Sequence, residues 1–188
     1  MTYILDTNII LDSVENLLTL SDNGTNTLVI PETVIDELDS KKVGFEDINF
    51  NARQFARLLE DSVILENKVV APLHIIKTSI ESLGISLLII SKKDYECDLQ
   101  TTAPNILNDR KILEAALNYI NKVEPATLIS LDIMFRTRAL SLGLAAEALT
   151  GKSSEQPNEF HKYLKVDNVT SLNGLPITQV DSTCEVEN

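Results

Sequence analysis

Short apolar runs alternate along this chain with segments whose apolar residues recur at helical spacing. Residues 2–5 read as a short buried strand, and residues 9–20 continue as a helix or two helical turns. Ser21-Asp22-Asn23-Gly24 is a loop supplied with residues that tolerate positive φ. Thr27-Leu28-Val29-Ile30 is a second strand, and Pro31 suits the first turn of the helix that follows, where a missing N–H costs nothing. Val34, Ile35 and Leu38 give that helix its apolar face. Residues 40–50 are polar and contain Gly44, which predicts a loop. From Asn51 to Val63, Phe55, Leu58 and Leu59 fall at helical spacing.

The signal weakens over 64–103. Only Ile85-Ser86-Leu87-Leu88-Ile89-Ile90 reads as a strand there; 67–84 favours no element, and Lys92 to Ala103 reads as a polar loop. Asn108-Asp109 then opens a strong helix through Ile112, Leu113, Ala116, Leu117 and Ile120, with Asp109 placed to cap it. Thr127 to Leu131 is a strand ending on Asp132. Ile133 to Leu142 is a helix stopped by Gly143, and residues 144–147 are a short last strand. Strands alternating with helices predict an α/β fold with a parallel sheet and right-handed crossovers. The organised region is expected over 1–150, with 151–188, polar and rich in Ser, Asn and Thr, as an appendage.

Composition sharpens this outline. The 188 residues are 44% hydrophobic, enough for a core, yet contain no Trp and only 5% aromatics, so Leu, Ile, Val and Ala must fill it. Cys97 and Cys184 lie far apart with no C-x-x-C partner, which suits reduced thiols in a cytoplasmic protein. No stretch resembles a signal peptide, and no apolar run is long enough to span a membrane. The net charge of −12 argues against a broad electrostatic grip on nucleic acid. Two features moderate that. Acids gathered around a metal ion do not repel phosphate as free acids do, and basic residues occur in clusters, among them Arg53 with Arg57, Arg110-Lys111, and Arg136 with Arg138.

The candidate chemistry lies in four acids. Asp6 follows the first strand, where open α/β sheets keep their ligand crevice. Glu37 sits within the apolar face of the helix after the second strand. Asp109 stands at the start of a helix, and Asp132 at a strand-to-helix junction. Mg²⁺ and Mn²⁺ are hard cations that take carboxylate oxygens, and such ions hydrolyse phosphodiesters without a nucleophilic side chain. Each acid has a plainer reading. The three aspartates can cap helices, and Glu37 can line a solvated helix edge as Glu32, Asp36 and Asp39 do. Together they suggest a divalent-metal site acting on nucleic acid, with Arg110, Arg136 and Arg138 as phosphate contacts and Arg53 and Arg57 as further cationic candidates. Thr150-Gly151-Lys152-Ser153 looks like the end of a P-loop, but position 146 is Ala rather than the required Gly.

At these residues the chain resembles a PIN domain, and more narrowly the N-terminal PIN module of PhoH-type proteins. The resemblance rests on Tyr3-Ile-Leu-Asp-Thr-Asn8, on Val29-Ile-Pro-Glu-Thr-Val-Ile-Asp-Glu-Leu-Asp39, on Asn51-Ala-Arg-Gln-Phe-Ala-Arg-Leu-Leu59, and on Asn108-Asp-Arg-Lys-Ile-Leu113 with Leu128-Ile-Ser-Leu-Asp-Ile-Met-Phe-Arg-Thr-Arg-Ala139. It implies a Rossmann-like three-layer α/β/α fold around a central parallel sheet. It further implies a Mg²⁺- or Mn²⁺-dependent endoribonuclease whose catalytic, metal-holding acids are Asp6, Glu37, Asp109 and Asp132. Thr7 and Ser130 occupy positions that order the site in the family, and Asn8 is grouped with them. RNA as substrate, a homodimer and an antitoxin or other protein regulator are likewise implied by the resemblance. PhoH-type proteins continue into an ATPase domain that this sequence does not contain, so no ATP-driven role is expected. The alternatives are a structure-specific DNA nuclease using the same site and a non-catalytic binding module on the same fold.

Overall fold

A computed structural model describes residues 1–95 and 104–149. The chain runs β1 (Thr2–Leu5), α1 (Thr7–Asp12), α2 (Asn16–Ser21), β2 (Thr27–Pro31), α3 (Glu32–Ser40), α4 (Asp47–Glu60), β3 (Val63–Val70), β4 (Leu73–Ile80), β5 (Ile85–Lys92), α5 (Pro104–Lys122), β6 (Thr127–Ile129), α6 (Ile133–Ser141) and β7 (Ala146–Glu147). The described strands form one sheet in the order β3-β4-β5-β2-β1-β6-β7, flanked by helices. From β5 to β7 all pairings are parallel. This is the α/β architecture that the strand–helix alternation implies.

β1 and β2 occupy the middle. Ile4, Leu5, Leu28, Val29 and Ile30 are all fully buried, so successive residues of β2 bury both of its faces, as central parallel strands do. Ile9, Ile10 and Leu17 pack on the sheet from α1 and α2, Val34 from α3, and Phe55 from α4.

Residues 64–84 depart from the sequence reading, and the strand read over 85–90 is β5. Together they form an antiparallel meander, β3-β4-β5, which makes the sheet mostly rather than wholly parallel. The period-2 signal was broken for a physical reason. β4 buries Leu73 and Ile75 in its first half but Thr78 and Ile80 in its second, and β5 buries Ile85 and Leu87, then Ile90 and Lys92. Their pairing is continuous, so each strand covers one face at one end and the opposite face at the other. Lys92 is buried against Glu114 of α5, with which it forms an ion pair. The polar loop expected over Lys92 to Ala103 falls mainly outside the described residues, as does the appendage expected over 151–188.

Element boundaries also moved. α4 begins at Asp47, because Asn49 Oδ1 accepts the Glu46 N–H (3.0 Å), a cap that apolar spacing does not reveal. The loop before it is tied down: Arg53 Nη1 donates to the carbonyls of Lys42 (2.7 Å) and Gly44 (2.9 Å), and Asn49 Nδ2 to that of Lys41 (2.8 Å). Gly44 has φ +136°, and a Cβ there would meet the Asn49 side chain at 2.3 Å. Pro31 is extended and ends β2, so its helix starts one residue later. Asp109 does not open a helix: α5 starts at Pro104, where proline suits a first turn, and Asp109 lies inside it. Gly143, at φ +81° after α6, is the helix stop that the sequence predicts.

Candidate functional site

The parallel register fixes where the site must lie. β1 and β6 are neighbours, with Leu5 opposite Ile129, and both end at the same sheet edge. Asp6 leaves β1 there, and its N–H donates to the Ile129 carbonyl (3.1 Å). Ser130 and Asp132 leave β6 beside it. β2 delivers α3, which carries Glu37, and α5 brings Asn108 and Asp109.

Asp6 is the buried centre. One carboxylate oxygen accepts the Thr7 N–H (2.7 Å), which caps α1. The other accepts the Ser130 hydroxyl (2.6 Å). Ser130, fully buried, joins the two turns: its Oγ also accepts from Asn8 Nδ2 (3.2 Å) and from the Asp132 N–H (3.0 Å). Asn8 completes the link by accepting the Leu131 N–H (3.0 Å).

Glu37 is drawn in from α3. Thr7 Oγ1 donates to its Oε2, and Asn108 Nδ2 to its Oε1 (2.8 Å). Glu32, Asp36 and Asp39, on the same helix, are exposed as the sequence suggests. Asp109 is half-buried and ion-paired with Arg138 of α6. Asp132 is exposed and caps α6 through the Met134 N–H (2.7 Å) and Phe135 N–H (3.3 Å).

The acids feel one another. Burial pushes Asp6 up to about 6; its bonds from Ser130 and Thr7 oppose that, and the charges of Glu37 and Asp109 add to it. Asp109 is also raised, by burial first, with Arg138 opposing and Glu37 and Asp132 adding. Four acids from four elements therefore share one electrostatic neighbourhood.

The basic candidates divide. Arg53 is spent on the loop carbonyls described above, and Arg136 Nη1 donates to the Ser130 carbonyl (2.6 Å), bracing the β6–α6 turn. Arg138 reaches the acids directly. Arg110, next to Asp109, and Arg57 are exposed. Sequence reasoning did not single out Asn108 as a site residue; its only signal was adjacency to Asp109.

As donors, four carboxylates fit a hard divalent cation; burial is the first cause that raises Asp6 and Asp109, and the neighbouring carboxylates add to it. They are not drawn into a closed cage. Among the described residues no three His, Cys, Asp or Glu side chains are grouped tightly enough to hold an ion. Arg138, Asn108, Thr7 and the α6 backbone occupy their oxygens instead.

The PIN-domain family model matches residues 3–150. The chain belongs to the PIN-domain family. PIN domains are generally nucleases that use divalent metal ions. Proteins called PhoH2 are similar to this PIN domain: that of Bacillus subtilis (strain 168) is 28% identical over 151 residues, that of Thermobispora bispora 27% over 154, and that of Mycolicibacterium smegmatis 28% over 146. Each alignment covers 77–78% of this chain but only 31–32% of the relative, so the chain spans about a third of their length. A domain of a functionally unknown protein from Methanocaldococcus jannaschii shares the fold, with a TM-score of 0.51 at 17% identity over 80% of this chain and 91% of that one. No described helix is long and apolar enough to cross a membrane.

Proposed function

We propose that this PIN domain is a Mg²⁺- or Mn²⁺-dependent endoribonuclease that hydrolyses single-stranded RNA at the Asp6, Glu37, Asp109 and Asp132 site. The observation that supports it best is geometric: Thr7 ties Glu37 to the Asp6 turn, Asn108 ties it to the helix of Asp109, and Ser130 joins Asp6 to the Asp132 turn at one sheet edge. The likeness to PhoH2 proteins supports the choice of family chemistry and says nothing of the sugar.

The chain's own part is placement. Ser130 and the Thr7 N–H fix both oxygens of Asp6, and Thr7 and Asn108 fix both oxygens of Glu37. A bound divalent cation supplies an activated water and neutralises charge on the phosphate. Arg110 and Arg138 are the cationic side chains nearest the acids in sequence or contact, and they are suited to a phosphate backbone.

The test is incubation of the full chain with labelled single-stranded RNA and, separately, single-stranded DNA, in Mn²⁺ with and without EDTA. Cleavage of RNA that EDTA abolishes is expected. Cleavage of DNA alone would move the assignment to a DNA nuclease. One observation favours a second reading, a non-catalytic binding module: each acid already has a protein partner. Intact RNA and DNA under every condition would establish it.

Arg138 separates binding from chemistry. Its guanidinium holds Asp109, so Arg138→Gln frees that carboxylate for a metal. The pair is half exposed and contributes about 1 kcal/mol or less. Mn²⁺ affinity, read by titration calorimetry, is expected to rise up to about fivefold, while KM for RNA rises because a phosphate contact is lost. A fall in Mn²⁺ affinity would show that Arg138 supports the acids rather than competing for them.

A further inference from the structure

The sheet has two edges, and they differ. β7 is two residues long. β3 is eight residues long and pairs only with β4 among the described residues. Seven of its eight residues are exposed, so neither face of the strand is covered. Four are large and apolar: Val63 (47% exposed), Ile64 (66%), Leu65 (56%) and Val69 (73%). A long apolar edge strand with unpaired N–H and C=O groups is a template for another strand.

We propose that β3 pairs antiparallel with β3 of a second copy of this chain, about a two-fold axis at Asn67, joining the two sheets edge to edge. This does not depend on the nuclease reading.

Charge selects the occupant and the register. The chain carries a net charge of −12, which drives copies apart over most of the surface. The β3–β4 hairpin is different: its only acid is Glu66 and its lysines are Lys68 and Lys77. Two copies therefore approach most easily here.

Backbone geometry narrows the register. Opposed residues of an antiparallel pair must both aim their N–H and C=O groups at each other or both away, and successive residues alternate. A symmetric pair must therefore place one residue opposite its own copy. An axis at Glu66 sets two glutamates face to face, and one at Lys68 sets two lysines face to face. An axis at Leu65 puts Ile64 against Glu66, at the residue where a bulge interrupts the β3 ladder. An axis at Asn67 sets Glu66 of each copy against Lys68 of the other and Val69 against Leu65. Within one chain Glu66 and Lys68 already lie 3.4 Å apart on one face, so the axis gathers alternating charges, two of each sign. The bulge at Leu65 lies outside the central three residues.

The experiment is sedimentation equilibrium of the full chain over a concentration series, with Glu66→Lys, Lys68→Glu and the double swap. Both side chains are about half exposed, so thermal melts should show the single variants folded. Each single change puts like charges opposite each other at both contacts and should weaken association by roughly tenfold or more. An equimolar mixture of the two single variants restores opposite charges at both contacts, and so does the double swap; both should recover wild-type association. A wild type that stays monomeric throughout overturns the proposal. So does a dimer indifferent to the single swaps, or one that neither the mixture nor the double swap restores.

Discussion

Asp6→Asn is expected to remove RNA cleavage while raising the melting temperature of the metal-free protein near neutral pH. The two effects share one cause. Burial and the neighbouring Glu37 and Asp109 charges push Asp6 to about 6 from an ordinary 3.8. The folded state therefore binds the Asp6 proton more tightly than the unfolded chain does. Between about pH 4 and pH 6 the folded state carries the extra proton, so stability falls as pH rises through that window. By pH 7 the ionised carboxylate costs about 3 kcal/mol. Asparagine removes that cost, but not freely. Ser130 Oγ already accepts from Asn8 and the Asp132 N–H, so an amide in place of the accepting oxygen offers it a third donor. Losing one buried hydrogen bond costs about 1–2 kcal/mol. A net gain of about 1 kcal/mol remains, or roughly 3 °C. Melts in EDTA from pH 4 to pH 8 should fall less steeply with pH in the variant than in the wild type, the remaining slope including that of the raised Asp109. Cleavage in Mn²⁺ should fall on the order of a hundredfold or more, because a neutral amide cannot supply the charge that a hard cation needs. A variant that melts lower than wild type at pH 7 would mean that Asp6 is not a strained charge. Unchanged cleavage would sink the site assignment.

Ser130→Ala should lower both stability and activity. Ser130 is fully buried, donates to Asp6 and accepts from Asn8 and the Asp132 N–H. Its removal leaves a buried carboxylate without its hydroxyl donor and two donors without an acceptor. The expected loss is about 2–3 kcal/mol in urea unfolding. Cleavage should fall about 10–100-fold, as it does when groups supporting metal ligands are removed. A purely structural role predicts only the stability loss. Positioning predicts more: the Ser130 bond lowers the Asp6 pKa, so the acidic limb of the pH–rate profile should move to higher pH in Ser130→Ala. Ser130→Thr keeps the hydroxyl and should restore most of the profile. An unmoved acidic limb would reduce Ser130 to a packing residue.

The two variants also show why each acid was ambiguous in sequence. Asp6 and Asp132 are both helix caps and both members of the acidic group, because the cap engages one carboxylate oxygen of each; the second oxygen of Asp6 accepts the Ser130 hydroxyl. Capping and metal holding were never exclusive. Asp109 misled in another way: its cap reading depended on a boundary, and Pro104 places the helix start earlier. The basic residues were the least legible. Arg53 and Arg136 look like surface cations in sequence, yet each donates to backbone carbonyls, because a guanidinium has enough donors to brace a turn.

The sequence by itself determined the central strands β1, β2 and β6 and the helices after them, because burial on both faces demands continuous apolar runs and helices repeat every 3.6 residues. It also determined that Asp6 and Asp132 each directly follow a strand, where an open α/β sheet keeps its crevice; that the two strands are neighbours was decided by the sheet order. Only the tertiary structure decided the β3-β4-β5 meander, whose buried face changes midway and whose edge strand buries neither face. It alone brought Glu37 and Asn108 together across 71 residues, gave Arg138 to Asp109, and made Ser130 the joint between two turns. Those contacts link side chains far apart in sequence, and local periodicity carries no record of them.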